Sequence, residues 1–234
     1  MKVESIKELT SEFFKYKTSN RSPSIYWEML DSFQSNWKLN APLDELQNMF
    51  NDSIHSTQDR SFWKRERYQP KKMMELFFKT YPDFCNQAFK ELFDMSLDLE
   101  VRVDRFKFYS DQLLDFYKKD HPTSIENNHY QDTEIIGFYL FLYDFKENPL
   151  YQFDWMKTLC KLTEAKPIPK THDIARFYKI AIILRKFLQQ EATLYNIYES
   201  EISTLRLNFC KPMDSYLPFA DFCAYCTAKY NTSR

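Results

Sequence analysis

His129-Tyr-Gln-Asp132 brings an imidazole and a carboxylate within three residues of each other, the spacing of a general acid–base pair on one helix face. Asn127 and Asn128 directly precede them and place His129 in a loop. Asp132 then falls where the N-cap of the next helix belongs, and capping is the simpler use of it. Cys223-Ala-Tyr-Cys226 is a second candidate, because a CxxC pair supplies half of a four-ligand zinc site. The nearest further thiol is Cys210, His172 is remote, and the pair lies on the apolar face of "PFADFCAYCTA", so both thiols read as core. The four histidines, His55, His121, His129 and His172, form no HxxxH or ExxH pair. No serine has the glycines of a nucleophile elbow. The acidic pairs Asp94/Asp98 and Glu199/Glu201 read as solvated helix faces or caps. The expectation is a chain that is not an enzyme and has no metal or cofactor of its own.

The strongest binding feature is "RSFWKRERYQPKK", residues 60 to 72. Arg60, Lys64, Arg65, Arg67, Lys71 and Lys72 surround Phe62, Trp63 and Tyr68, with Glu66 the only acid. Such cations neutralise phosphates, and interleaved aromatic rings stack on bases. These six cations, with Trp63 and Tyr68 as stacking groups, form the candidate nucleic-acid site. The competing reading is a solvated connection with its aromatics tucked into the core. A second basic group, Arg176, Lys179, Arg185 and Lys186, reads as the polar face of a helix. The formal net charge is −1, which is no footprint of a strongly basic domain. Any contact with nucleic acid is therefore local.

The elements that position these residues are helices. The 234 residues hold 44% hydrophobic and 18% aromatic side chains, enough for a sizeable core, but a single glycine, Gly137. Tight hairpins need positive φ, which glycine supplies most readily, so a sheet protein of this composition is hard to build. The same scarcity excludes a Walker A loop and a dinucleotide fingerprint. Apolar residues recur at helical spacing: Ile6, Leu9, Phe13 and Phe14; Tyr26, Trp27, Leu30, Phe33 and Trp37; Leu43, Leu46, Phe50 and Ile54. Ser22 or Ser24, with Pro23, is expected to open the second of these helices, and Asn40-Ala-Pro42 the third. Further helices are predicted from Pro70, from Pro82 and through Leu99 to Tyr117, the last with Arg102, Arg105, Lys107 and Asp111 on its polar face. The run from Ile135 to Tyr143 is apolar nearly all round and should be central, with a neighbour crossing closely at Gly137. A weaker helix follows near Asp154 to Leu162; from Ile174 to Leu205 the period continues as one very long helix or two nearly collinear ones, and a last helix covers Ser215 to Tyr230.

The expected fold is all-α: a single domain over 1–234 of about eight to ten helices in an irregular bundle. The proline and polar loops near 119–131 and 165–170 are the candidate points of subdivision. Five scattered cysteines and no signal peptide read as reduced cytoplasmic thiols. No apolar run is long enough to span a bilayer.

Several stretches, in order, carry a family resemblance: "IYWEMLDSFQSNWKLN", "FKELFDMSLDLEVRVDRFKFYSDQLL", "NNHYQDTEIIGFYLFLYDF" and "MDSYLPFADFCAYCTAKY". Over roughly residues 20 to 230 the chain resembles the helical N-terminal region of McrB-type AAA+ proteins, the GTP-hydrolysing subunits of modified-cytosine restriction systems. There an "LFDE"-like segment precedes a long helix and a "HYQD" stretch precedes an apolar one. The chain departs from the family after that helix, with "YDFKENPLYQFDW" in place of a "YPDKYYIYK"-like hairpin or turn, so nothing recognised by that segment is carried over. The resemblance implies a non-catalytic recognition module of a phage-defence system, engaging DNA. It also implies two partners, an AAA+ motor domain that this chain lacks and an endonuclease subunit. The alternative it leaves is a protein-interaction or adaptor domain of the same kind of system.

Overall fold

A computed structural model describes residues 1–20, 24–56, 63, 69–205 and 214–231. Their regular structure is entirely helical, with no strand among the described residues. Among the described residues eleven helices follow one another: α1 Val3–Ser19, α2 Trp27–Asn36, α3 Leu46–Ser53, α4 Gln69–Thr80, α5 Pro82–Leu92, α6 Leu99–Asp120, α7 Thr133–Tyr143, α8 Phe153–Leu162, α9 Ile174–Leu188, α10 Ala192–Leu205 and α11 Leu217–Asn231. Among the described residues no helix is long and apolar enough to cross a membrane.

The helices gather into two compact units, Tyr26–Tyr143 and Met1–Ile25 with Asp144–Arg234. The loops near 119–131 and 165–170 lie inside these units, not between them.

In the Tyr26–Tyr143 unit, α5 packs on α6, α2 on α3, and α7 on α2 and α6. Its centre is aromatic. Phe89 of α5 is fully buried, with ring centroids of Phe106 and Trp37 at 4.9 Å, Tyr139 at 5.1 Å and Phe78 at 5.6 Å. Ile135 to Leu142, Gly137 included, are buried without interruption, as an all-round apolar helix requires. The last carbonyls of α7 have no intrahelical partner. Gln34 of α2 reaches two of them, donating from Nε2 to the Leu142 and Tyr143 oxygens at 2.6 and 2.9 Å.

In the other unit α11 packs on α8, α9 and α1, and α1 also meets α9 and α10. Phe13 contacts Phe222 edge-on at 5.5 Å, and Phe177 meets Phe219 at 5.6 Å.

The structure alters three local expectations and decides a fourth between its two alternatives. Ser24 does not cap α2: the helix begins at Trp27 without a side-chain cap, and Ser24 Oγ donates instead to Asp221 at 2.9 Å. Asn40-Ala-Pro42 opens only a turn, so α3 begins at Leu46 and Leu43 is exposed. Arg102 is not on the polar face of α6. It is buried and donates to the Leu92 carbonyl at 3.3 Å, supplying a partner for the C-terminal end of α5. The stretch Ile174 to Leu205 is two helices parted at Gln189–Glu191. The break has a packing reason: the buried residues of α10 (Leu194, Ile197, Tyr198 and Glu201) would lie roughly a third of a turn away from the α9 stripe on one straight helix.

Candidate nucleic-acid interface

The loop before α7 is built by its own side chains. Asn128 Oδ1 accepts the Tyr130 N–H at 2.7 Å, and His129 Nδ1 accepts the Gln131 N–H at 2.8 Å. Asp132 Oδ1 caps α7 by accepting from Glu134 N and Ile135 N at 2.9 and 3.0 Å. Tyr130 has φ 58°, in the left-handed region that costs a non-glycine residue roughly 1–2 kcal/mol, and these flanking bonds hold it there.

His129 and Asp132 are not an acid–base pair in this arrangement. Asp132 serves the helix, and His129 Nε2 lies 3.1 Å from Asp111 Oδ1 on α6. Because Nδ1 is an acceptor, the neutral ring carries its proton on Nε2 and donates it to Asp111. Burial pushes the His129 pKa below the usual histidine value, with Asp111 opposing part of the effect. Protonating Nδ1 would also abolish its acceptor role toward Gln131. A folded pKa below the unfolded one means that the unfolded chain binds more protons, so stability is lost as pH falls from about 6.5 toward the folded pKa. His129→Gln is expected to flatten the pH dependence of the midpoint of thermal unfolding in that window. An unchanged slope would refute this assignment.

Gln131 joins this loop to the basic segment. Its buried amide Nε2 donates to the Pro70 carbonyl at 2.7 Å and the His129 carbonyl at 2.9 Å, while its Oε1 accepts from Tyr139 at 3.1 Å. Trp63 is fully buried, with its ring 5.4 Å from Phe138 and 6.3 Å from Tyr139. The expectation that Trp63 stacks on a base is therefore corrected: its ring belongs to the core. Trp63 and Pro70 are both seated on α7 and the loop leading into it. Lys71 is half-buried and Lys72 exposed in the first turn of α4. Arg60, Lys64, Arg65, Arg67 and Tyr68 lie outside the described residues.

The second basic group is only partly a solvated face. Arg176 donates to the Ala165 carbonyl and Arg185 to the Lys146 carbonyl, each at 3.1 Å, and Arg185 also covers the Tyr216 ring. Lys179 and Lys186 are exposed. Cys223 and Cys226 are free, buried thiols on α11. Burial raises both pKa values, that of Cys226 to about 12, which keeps them in the inert thiol form. Among the described residues no group of three or more His, Cys, Asp or Glu is placed to hold a metal ion.

One constellation escaped the sequence reading. Lys17 Nζ on α1 lies 2.8 Å from Glu201 on α10 and 3.4 Å from Asp221 on α11. The side chains of Lys17 and Glu201 are each 5% exposed, so Glu201 is not on a solvated face. Tyr198 donates to Asp221 at 2.7 Å, and Lys17 sits 4.9 Å from the Tyr198 ring centroid. The missed signal is positional: Lys17 continues the stripe Ile6, Thr10, Phe13, and Glu201 the stripe Leu194, Ile197, Tyr198. Beside this cluster is a cleft of about 440 Å³ lined by Thr18, Thr193, Asn196, Ile197, Ser200, Glu201 and Thr204.

Compared with protein-family models, with curated proteins and with solved structures, the chain finds no match in any of the three.

Proposed function

We propose that the chain is a non-catalytic, cytoplasmic recognition module of a McrB-like restriction system, and that it binds DNA through the basic segment at residues 60 to 72. The observation that carries the reading is the seating of Trp63 and Pro70 on either side of residues 64–68. The indole is packed against Phe138, and the Pro70 carbonyl is held by Gln131. Three of the segment's cations, Lys64, Arg65 and Arg67, fall between these two fixed points. The stretch that carries the family resemblance thus holds Trp63 and Pro70, the residues that flank this run in sequence. Tyr68 remains the candidate stacking group. The resemblance further supplies an AAA+ motor domain and an endonuclease subunit as partners.

Phosphate contacts release counterions, so log affinity falls with log salt at a slope of about −0.9 per phosphate neutralised. With six cations engaged, affinity for a fluorescein-labelled duplex should fall about 10³-fold between 50 and 200 mM NaCl. Replacing Lys64, Arg65 and Arg67 by glutamine should make that slope shallower by roughly 2.7. Anisotropy titrations at several salt concentrations read both quantities. Salt-independent binding, or a triple variant with the parental slope, refutes the assignment to this segment; no binding at 50 mM refutes duplex recognition itself.

A protein-interaction reading is favoured by a different observation. Ile182 and Ile183, 47% and 42% exposed, form an apolar surface on α9.

A further inference from the structure

One imidazole ties the loop before α7 to its neighbours inside the Tyr26–Tyr143 unit. His129 Nε2 meets Asp111 of α6 at 3.1 Å, and Nδ1 accepts the Gln131 N–H at 2.8 Å. Gln131 in turn holds the Pro70 carbonyl of α4 at 2.7 Å and accepts from Tyr139 of α7 at 3.1 Å. A backbone N–H can only donate, so this arrangement lasts only while Nδ1 carries a lone pair. Tyr130, at φ 58°, stands between the two residues. It is kept in the left-handed region by the Gln131 bond and by the bond from its own N–H to Asn128 Oδ1. A proton on Nδ1 turns the acceptor into a second donor facing Gln131. One of the two bonds that hold Tyr130 is then lost, and relaxation of its backbone to negative φ carries Gln131 away from Pro70. The imidazole side chain is 17% exposed, so solvent protons reach it.

We propose that His129 is a proton-operated latch: a proton on Nδ1 releases Gln131 from the Pro70 carbonyl and uncouples the loop from the first turn of α4. Burial disfavours the imidazolium. It outweighs the charged groups that face the ring, Asp111 of α6 and Asp132 of the loop itself, whose carboxylates favour the charged form. What α4 offers to the latch is the Pro70 carbonyl, which does not titrate. The closed loop thus has the lower pKa and the released loop the ordinary one. Release is therefore promoted as pH falls from about 6.5 toward the closed-loop value, and levels off below it. The inference stands apart from the DNA reading, since its test contains no nucleic acid.

Hydrogen exchange of the full chain followed by NMR tests it, reading the backbone and side-chain amides of Gln131 from about pH 7.5 to about pH 5. His129→Asn is the latch that cannot titrate: an asparagine Oδ1 accepts the N–H two residues on, as Nδ1 does. Comparing variant and parent at each pH cancels the intrinsic pH dependence of exchange. In the parent the opening constant of both Gln131 groups is expected to rise by up to about tenfold per pH unit within the window, and in His129→Asn to stay level. Asp111→Asn removes a carboxylate that favours the imidazolium. The midpoint of the His129 ring titration should then move lower still, and the rise in opening should continue to lower pH. Gln131 should also remain at least about tenfold less protected than the amides of α5 at every pH, the mark of a local opening. Overturning results are a parent whose Gln131 opening ignores pH, His129→Asn with the parental pH dependence, an Asp111→Asn midpoint that does not fall, or Gln131 protection equal to that of α5.

Discussion

Replacing Lys17 by methionine is expected to remove about 3–5 kcal/mol of unfolding free energy, the cost of leaving buried charges without their counterion. The lysine nitrogen is 2.8 Å from one carboxylate and 3.4 Å from a second. The side chains of Glu201 and Asp221 are only 5% and 15% exposed. Water therefore cannot take over the role of the ammonium. Methionine preserves most of the side-chain volume, so the loss reports charge and not a cavity. The effect should be partly reversed in Lys17→Met/Glu201→Gln, which removes one of the stranded carboxylates. Lys157→Met provides the contrast. Its partner Asp154 lies closer, at 2.6 Å, but the two side chains are 36% and 70% exposed. Solvent screening limits that pair to within about 1 kcal/mol. Urea unfolding followed by circular dichroism measures all four proteins. A Lys17→Met midpoint equal to that of Lys157→Met would show that burial does not set the strength of this cluster.

The same cluster marks the boundary of what the sequence makes legible. Period and composition identify the helices well because both are local: the shortage of glycine, Pro70 and Pro82 at helix starts, and the apolar run of α7 need no knowledge of neighbours. Asp132 as a cap is local in the same sense, since it acts on backbone N–H groups two and three residues ahead. Arg102, Lys17 and Glu201 are different. Each lies on an apolar stripe but carries a charge, and a charge in sequence reads as solvent-facing. Only the opposing helix decides otherwise, by offering a carbonyl to Arg102 or a counterion to Lys17. Trp63 is the converse case. Among cations it reads as a stacking group, yet the ring is drawn into the core because Phe138 and Tyr139, more than seventy residues later, provide the surface it packs on. Dissection of the chain into two units is equally non-local, since one of them joins residues 1–25 to 144–234.

Phe89→Ala is expected to cost about 3–5 kcal/mol, an effect of the same size in the other unit and by a different mechanism. Phe89 is fully buried, and its ring meets Trp37, Phe50, Phe78, Phe93, Phe106 and Tyr139 with centroids between 4.9 and 6.1 Å. These neighbours come from α3, α4, α6 and α7 and from the residues just after α2 and α5, so no single helix can shift to refill the space without disturbing another contact. The cost is therefore transfer free energy plus a cavity that collapses only in part. Phe108→Ala, with the parent ring 60% exposed, should stay within about 0.5 kcal/mol, although both are single Phe→Ala changes on adjacent helices. The loosening should also be local. Tyr139 donates to Gln131 and underlies Trp63, so in Phe89→Ala the amides of α7 and of the first turn of α4 should exchange with deuterium faster than those of α1 and α10. Uniform acceleration across the chain would mean that Phe89 reports global stability alone. Selective acceleration would place Phe89 beneath the platform on which Trp63 and Pro70 are held.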